Sequence, residues 1–255
     1  MRYSGIGGQA VMEGVMMKNG DKYAVAVRKG DQELVVETSE YSGVASNKKI
    51  KKLPIFRGVF NFIDSLRLGM KTLNFSASFY EEEDAEETGL DKALNKVSGG
   101  RSESILMGIT TVVSIVLAVG IFILLPYFLS SLLSGYIRNA SLLAIAEGAI
   151  RILIFFLYVV GISLMKDIRR LYQYHGAEHK CINCIEKGRP LTVKNVMRSS
   201  RYHKRCGTSF MFFVMFVSII LFFFIRVPNP VMKVVVRILL IPVIAGISYE
   251  IIRLA

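Results

Sequence analysis

The chain has 255 residues, of which 52% are apolar and only 20% charged, with 16 Phe and no Trp. Its formal net charge of +12 is unevenly placed: residues 1–104 carry 15 Lys/Arg against 15 Asp/Glu, whereas residues 166–206 carry 11 Lys/Arg against Asp167, Glu178 and Glu186, a surplus of +8. No Asp, Glu, Lys, Arg or His occurs between Glu103 and Arg138; a helix needs about 20 apolar residues to cross a bilayer, so a wholly water-soluble chain is excluded.

Residues 1–52 read as a small β-rich unit. Tyr23–Arg28 and Glu33–Thr38 are strand-like runs joined by a turn at Lys29-Gly30-Asp31, and Gly7–Met17 reads as one further strand whose glycines mark a bend or a close backbone approach. Pro54 predicts a helix start, with Ile55, Val59, Phe62, Ile63, Leu66 and Met70 on one face. That face either covers the β unit or rests on the membrane. The acidic run Glu81–Glu87 reads as a solvated or disordered linker.

Four spans follow, near 105–133, 142–165, 208–226 and 231–252. The second carries Glu147 and Arg151 four residues apart, a pairing distance on a helix. The fourth carries Lys233, Arg237, Glu250 and Arg253 toward its ends, where long side chains reach the interface. Val227–Pro230 reads as the turn between spans three and four. The expected fold class is therefore a mainly α membrane protein: four transmembrane helices, a small N-terminal α+β unit and a basic loop between helices 2 and 3.

Its expected parts are an N-terminal unit at 1–80, an acidic linker at 81–104, spans at 105–165, a basic His/Cys loop at 166–206 and spans at 207–255. No basic start with an apolar run opens the chain, so the first span is expected to serve as the membrane signal. Lys/Arg bias places the N-terminus and the central loop in the cytoplasm, where a disulfide framework is not expected. The chain stops at Ala255 directly after an apolar helix, and a further C-terminal segment is expected beyond it.

All three His and all three Cys fall within 175–206: His175, His179, Cys181, Cys184, His203 and Cys206. Imidazole and thiolate are the preferred ligands of zinc. Two ligand sets compete. Cys181-x2-Cys184 with His203-x2-Cys206 resembles paired zinc knuckles. His175-Gly176-Ala177-Glu178-His179 is an H-x-x-E-H pattern, which on a helix puts both imidazoles on one face with Glu178 beside them as a general base; His203 or Cys206 would complete the set. The cations Arg169, Arg170, Arg198, Arg201, Lys204 and Arg205 hold the loop on the cytoplasmic side, or make a docking surface for anionic lipid, RNA, a ribosome or another membrane protein.

Gly7–Met17, Leu53–Gly58, His175–Lys180 and His203–Ser209 together resemble the YqhQ-like family, bacterial membrane proteins often labelled predicted metal-dependent enzymes. The resemblance covers nearly the full chain. It implies functional roles for His175, Glu178, His179, His203 and Cys206, and for Gln9 and Glu13. Glu13, among apolar neighbours, then needs either the metal or a loop Arg as partner. The family usually has Pro where this chain has Lys204, which loosens the turn between His203 and Cys206. Its positions matching Cys181 and Cys184 are not fixed as Cys, which favours the set with His175, His179, His203 and Cys206 and leaves Cys181 and Cys184 supporting. Two functions are expected: a zinc-dependent hydrolase at the membrane surface, or a non-catalytic membrane factor that docks a partner through the basic loop, with a homo-oligomer among the partner options in either case. A transporter is poorly supported by spans with so few internal charges.

Overall fold

Tyr23, Val25 and Val27 are buried while their neighbours in strand β3 (Lys22–Arg28) are not, the period-2 pattern of a strand with one face on a core. In the computed structural model, which describes residues 4–44, 53–80, 102–204, 206–225, 227 and 229–254, β3 lies in a four-stranded antiparallel sheet of order β1-β2-β3-β4. The other strands are β1 (Ile6–Val11), β2 (Gly14–Asn19) and β4 (Leu34–Glu40). The single strand expected over Gly7–Met17 is thus two. Val11 pairs with Gly14, and the two-residue turn Met12–Glu13 between them puts Glu13 at φ 47°, the left-handed region that such tight hairpins require. The acidic run at 81–87 and Arg205 lie outside the described residues.

The chain divides into two compact units. In the first, helix α1 (Phe56–Ala77) closes one face of the sheet, with Leu68 joining Val11, Met16, Tyr23, Val25 and Val27 in the core. Each of these side chains contributes about 1.5–3 kcal/mol by leaving water. Of the two readings of the large apolar face of α1, covering the sheet is not the one observed. Leu68, Gly69, Thr72 and Ser76 are buried, whereas Ile63, Leu66 and Met70 are exposed. Small residues win because the helix approaches β1 closely: a Cβ on Gly69 would sit 2.5 Å from Gln9 Oε1, and Ser76 Oγ accepts from the Met12 amide at 3.0 Å.

Helix α5 (Lys166–Glu186) contacts β1 as well. Gly8 and Gln9 are consecutive in a strand and so point to opposite faces; Gln9 meets α1 and Gly8 meets Glu178 of α5. The sheet edge is therefore held between two helices. The expected loop at 166–206 is mostly helical, with α5 followed by the short α6 (Val193–Met197), which Thr192 caps by accepting from the Asn195 amide. The same unit holds the start of α7 (Gly207–Phe224) and α9 (Ile241–Leu254).

In the second unit, α2 (Ser102–Val119) runs through a π-helical turn at Gly120–Leu124 into α3 (Leu125–Leu132). Pro126, lacking an amide hydrogen, sits in the first turn of α3. Asn139 Oδ1 accepts from the Ser141 and Leu142 amides and starts α4 (Ala140–Ser163). The last helix here is α8 (Pro230–Leu239). Three helical stretches are long and apolar enough to cross a membrane, Gly108–Gly135, Ala140–Ser163 and Gly207–Phe224; the bent pair α8–α9 makes a fourth if counted as one span.

Arg237 does not reach for the interface as its position near a span end predicted. It is buried and bonds Glu147, with Nη1 2.7 Å from Oε1 and Nη2 2.8 Å from Oε2. Arg151 Nη2 adds a third contact at 3.1 Å, and both guanidinium groups lie over the Phe222 ring. In a nonpolar surrounding a charge is retained where an opposite charge meets it.

Candidate metal centre

Helix α5 buries Glu178, His179, Ile182, Asn183 and Glu186, an i, i+1, i+4, i+5, i+8 stripe that is mainly polar. A polar buried stripe is costly unless each group is satisfied. Much of it is satisfied by the segment before α7. Asn183 Nδ2 donates to the carbonyls of Ser200 at 2.8 Å and Tyr202 at 3.0 Å, and Lys180 Nζ to Met197 O at 3.1 Å. These bonds lay residues 197–202 along α5, and Cys206 beyond them lies beside the two imidazoles.

One ligand atom each of His175, His179 and Cys206 lie within 4.8 Å of one another. Zinc bonds of roughly 2.0–2.3 Å place tetrahedral ligands a little closer than that, so small side-chain rotations suffice. His179 Nδ1 is 2.8 Å from the Arg201 carbonyl, which can only accept; Nδ1 therefore carries the hydrogen and Nε2 the lone pair. That Nε2 is buried with no hydrogen-bond partner. A metal-ligating His typically has its other nitrogen held in this way.

Cys206 is prepared as a thiolate. Its Sγ lies 2.8 Å from Thr208 Oγ1 and 3.2 Å from Ser209 Oγ, and the Ser209 amide donates to it at 3.4 Å, all at the N-terminus of α7. Burial pushes the thiol up, but the pull of the His179 imidazole, which without a metal takes a second proton on Nε2 beside the sulfur, together with Ser209 and Thr208 outweighs it and brings Cys206 down to about 6. Burial, with His179 beside it, lowers His175, while the Cys206 sulfur raises His179 against its own burial.

Glu178 stands next to this group. Burial drives its carboxyl up to about 7, with His179 opposing and Cys206 reinforcing. Its Oε2 is buried without a hydrogen-bond partner. The opposite side of the carboxyl rests on Gly8, where a Cβ would come within 2.7 Å of Oε1.

His203 falls outside the three-ligand group. Its Nε2 is 3.4 Å from Glu186 Oε2, its Nδ1 is buried without a partner, and its ring centre is 5.8 Å from that of His179. Glu186 also accepts from the amide and hydroxyl of Ser4, each at 3.3 Å. Cys184 is fully buried with its sulfur toward the carbonyls of Arg189 and Pro190, and Cys181 is partly buried; neither belongs to the group, so the paired-knuckle set does not converge. Glu13 has the Arg partner expected for it. Arg170 Nε and Nη2 bond its two oxygens at 2.6 and 2.8 Å, and Tyr174 OH donates at 2.8 Å. Gln9 faces Gly69, not the ligands. Arg169, Arg198, Arg201 and Lys204 are exposed.

Sequence reasoning missed Glu186, Ser4, Tyr174, Thr208, Ser209 and the Arg201 carbonyl. The Ser4–Glu186 contact spans 182 positions and had no local signal. Thr208 and Ser209 were visible as two hydroxyls two and three positions after a Cys at a helix start.

The fold and this cluster define a mainly helical membrane protein in which two His of a polar helix, packed against an N-terminal sheet, meet a Cys from the entry to the next span. The chain belongs to the DUF1385 family, described as "Protein of unknown function", whose model matches residues 53–255. It is 34% identical over 249 residues to "Uncharacterized protein YqhQ" of Bacillus subtilis (strain 168), covering 97% of this chain and 78% of that protein. No solved structure matches.

Proposed function

We propose that this chain is a membrane-bound, metal-dependent hydrolase, with a zinc ion held by His175, His179 and Cys206 and with Glu178 as general base. The observation that carries the reading is the pair of buried, unpartnered atoms, His179 Nε2 and Glu178 Oε2, beside a sulfur poised as thiolate. Three protein ligands leave a fourth position open, the arrangement of catalytic rather than structural zinc. A zinc ion there would supply Lewis acidity toward a scissile carbonyl or phosphoryl oxygen and would acidify a neighbouring water. Glu178 takes the proton from the attacking water and returns it to the leaving group. The Arg201 carbonyl holds His179 in the ligating tautomer, and the missing side chain of Gly8 leaves the room that the Glu178 carboxyl fills.

The Lys/Arg bias supports a centre facing the cytoplasm, with the N-terminal unit and residues 166–206 on that side. A peptide or lipid-linked substrate at the membrane surface fits that placement. Elemental analysis of the pure protein tests the reading: one zinc per chain, lost in His179→Ala, retained in Glu178→Gln with hydrolysis abolished. Native protein without metal sinks it.

The exposed cations Arg169, Arg198, Arg201 and Lys204 favour a second reading, a non-catalytic factor docking an anionic partner such as RNA, a ribosome or acidic lipid. Such docking is salt-labile, whereas a metal-dependent activity survives high salt.

A further inference from the structure

We propose that α1 rests in the headgroup layer of the bilayer, with Phe56, Ile63, Leu66, Met70 and Leu73 turned into lipid. These residues are spaced 7, 3, 4 and 3 apart, so they form one stripe along the helix. They are 37–57% exposed, on a helix whose Leu68, Thr72 and Ser76 are no more than 2% exposed. The helix thus has two working faces. The small-residue face is taken by the sheet, and the large apolar face is covered by no other described residue to that depth.

The depth of α1 follows from what its N-terminal half touches. Phe62 packs on Phe210, in the first turn of α7, with ring centres 5.3 Å apart. Gly58 lies against Gly246, a Cβ on it reaching within 2.9 Å of the Gly246 Cα. Arg57 pairs with Glu250, and Asn61 donates to the Tyr249 hydroxyl at 2.7 Å, both toward the end of α9. The beginning of one span and the end of the next meet α1 together. Span ends that carry a Tyr and an ion pair belong at the membrane–water boundary. A 22-residue helix fastened there cannot stand in bulk water with five large apolar side chains exposed. Burying that stripe in the acyl boundary, with the exposed Arg67 alongside it toward the phosphates, is how an amphipathic helix lies in the interface. A second copy of the chain is the competing occupant. The stripe's origin at Phe56, on the half of α1 already seated against the spans, favours lipid.

The chain has no Trp, so Ile63→Trp and Met70→Trp each introduce a sole indole at an exposed position where its bulk is tolerated. Ser65→Trp, 140° around the helix from Met70 by the 100° step per residue, serves as the control. Each variant is reconstituted into phosphatidylcholine/phosphatidylglycerol vesicles with and without lipid brominated near the headgroup end of the acyl chain. Brominated lipid should quench the first two indoles several-fold more than the third, and acrylamide should show the reverse order. Acrylamide quenching of all three would place α1 in water and overturn the proposal. Shielding of Ile63→Trp and Met70→Trp from both quenchers would overturn it in favour of a protein cover.

Discussion

The carboxyl of Glu178 sits where a side chain on Gly8 would be, 2.7 Å from the missing Cβ. A residue at the edge of the N-terminal sheet thereby determines where the proposed base of a site 170 positions later can point. Gly8→Ala should displace Glu178 and destabilise the protein by about 1–3 kcal/mol, as overpacking of a filled position does. Zinc content should be unchanged, since no ligand touches Gly8, while turnover falls. Thermal unfolding, metal analysis and rate measured on one preparation check all three.

Cys206 should be the reactive thiol of the metal-free protein. Its value near 6 means that the thiolate persists at neutral pH and is lost only as pH falls through about 6. Cys181, raised by burial, requires alkaline conditions. Iodoacetamide labelling from pH 5 to 9, followed by peptide mapping, should show Cys206 labelled first; added zinc should block Cys206 and leave the slow labelling of Cys181 as it was.

Removing the Glu13 charge should loosen the sheet from α5. Hydrogen bonds from Arg170 outweigh the cost of burial and hold Glu13 below the ordinary carboxylate range, with Tyr174 adding to the effect. A carboxyl lowered in the folded state stabilises fully above its unfolded value, and that contribution is lost as pH falls through the folded one. Glu13→Gln should therefore lower the melting temperature modestly at pH 7, and the difference should shrink progressively as pH falls below the ordinary carboxylate value. Calorimetry of the two proteins over a descending pH series checks it.

Glu147→Gln should be among the most damaging single changes in the second unit. It leaves Arg151 and Arg237 buried beside each other without their carboxylate, and breaking a buried pair in this way costs about 3–5 kcal/mol. A drop in thermal stability in detergent, larger than for Glu13→Gln, is the expected result. Equal stability of the two variants would mean that water reaches the arginines.

His203→Ala should weaken zinc binding by roughly 10–100-fold, the range for residues that support ligands, while His179→Ala abolishes it. His203 bonds Glu186 and lies beside His179 without joining the converging group. Zinc competition titrations of both variants distinguish a supporting His from a ligand.

The sequence alone determined the membrane class, strands β3 and β4, the Glu147–Arg151 pair and the gathering of every His and Cys into 32 positions. These are properties of composition, period and spacing, which act over one element at a time. Tertiary structure decided the rest. His175 and His179 are one helical turn apart and were visible as a pair, but whether His203 or Cys206 joined them depended on how residues 197–202 were stitched to α5 through Asn183 and Lys180. Which of the two readings of the large apolar face of α1 held could not be told from the sequence, because hydrophobicity marks large side chains, whereas close helix–strand packing selects small ones, and only the approach of Gly69 to Gln9 reveals that the sheet takes the small-residue face. Arg237 was placed at an interface because a lone cation near a span end usually reaches outward; its carboxylate partner is 90 positions away, a separation that no local pattern encodes.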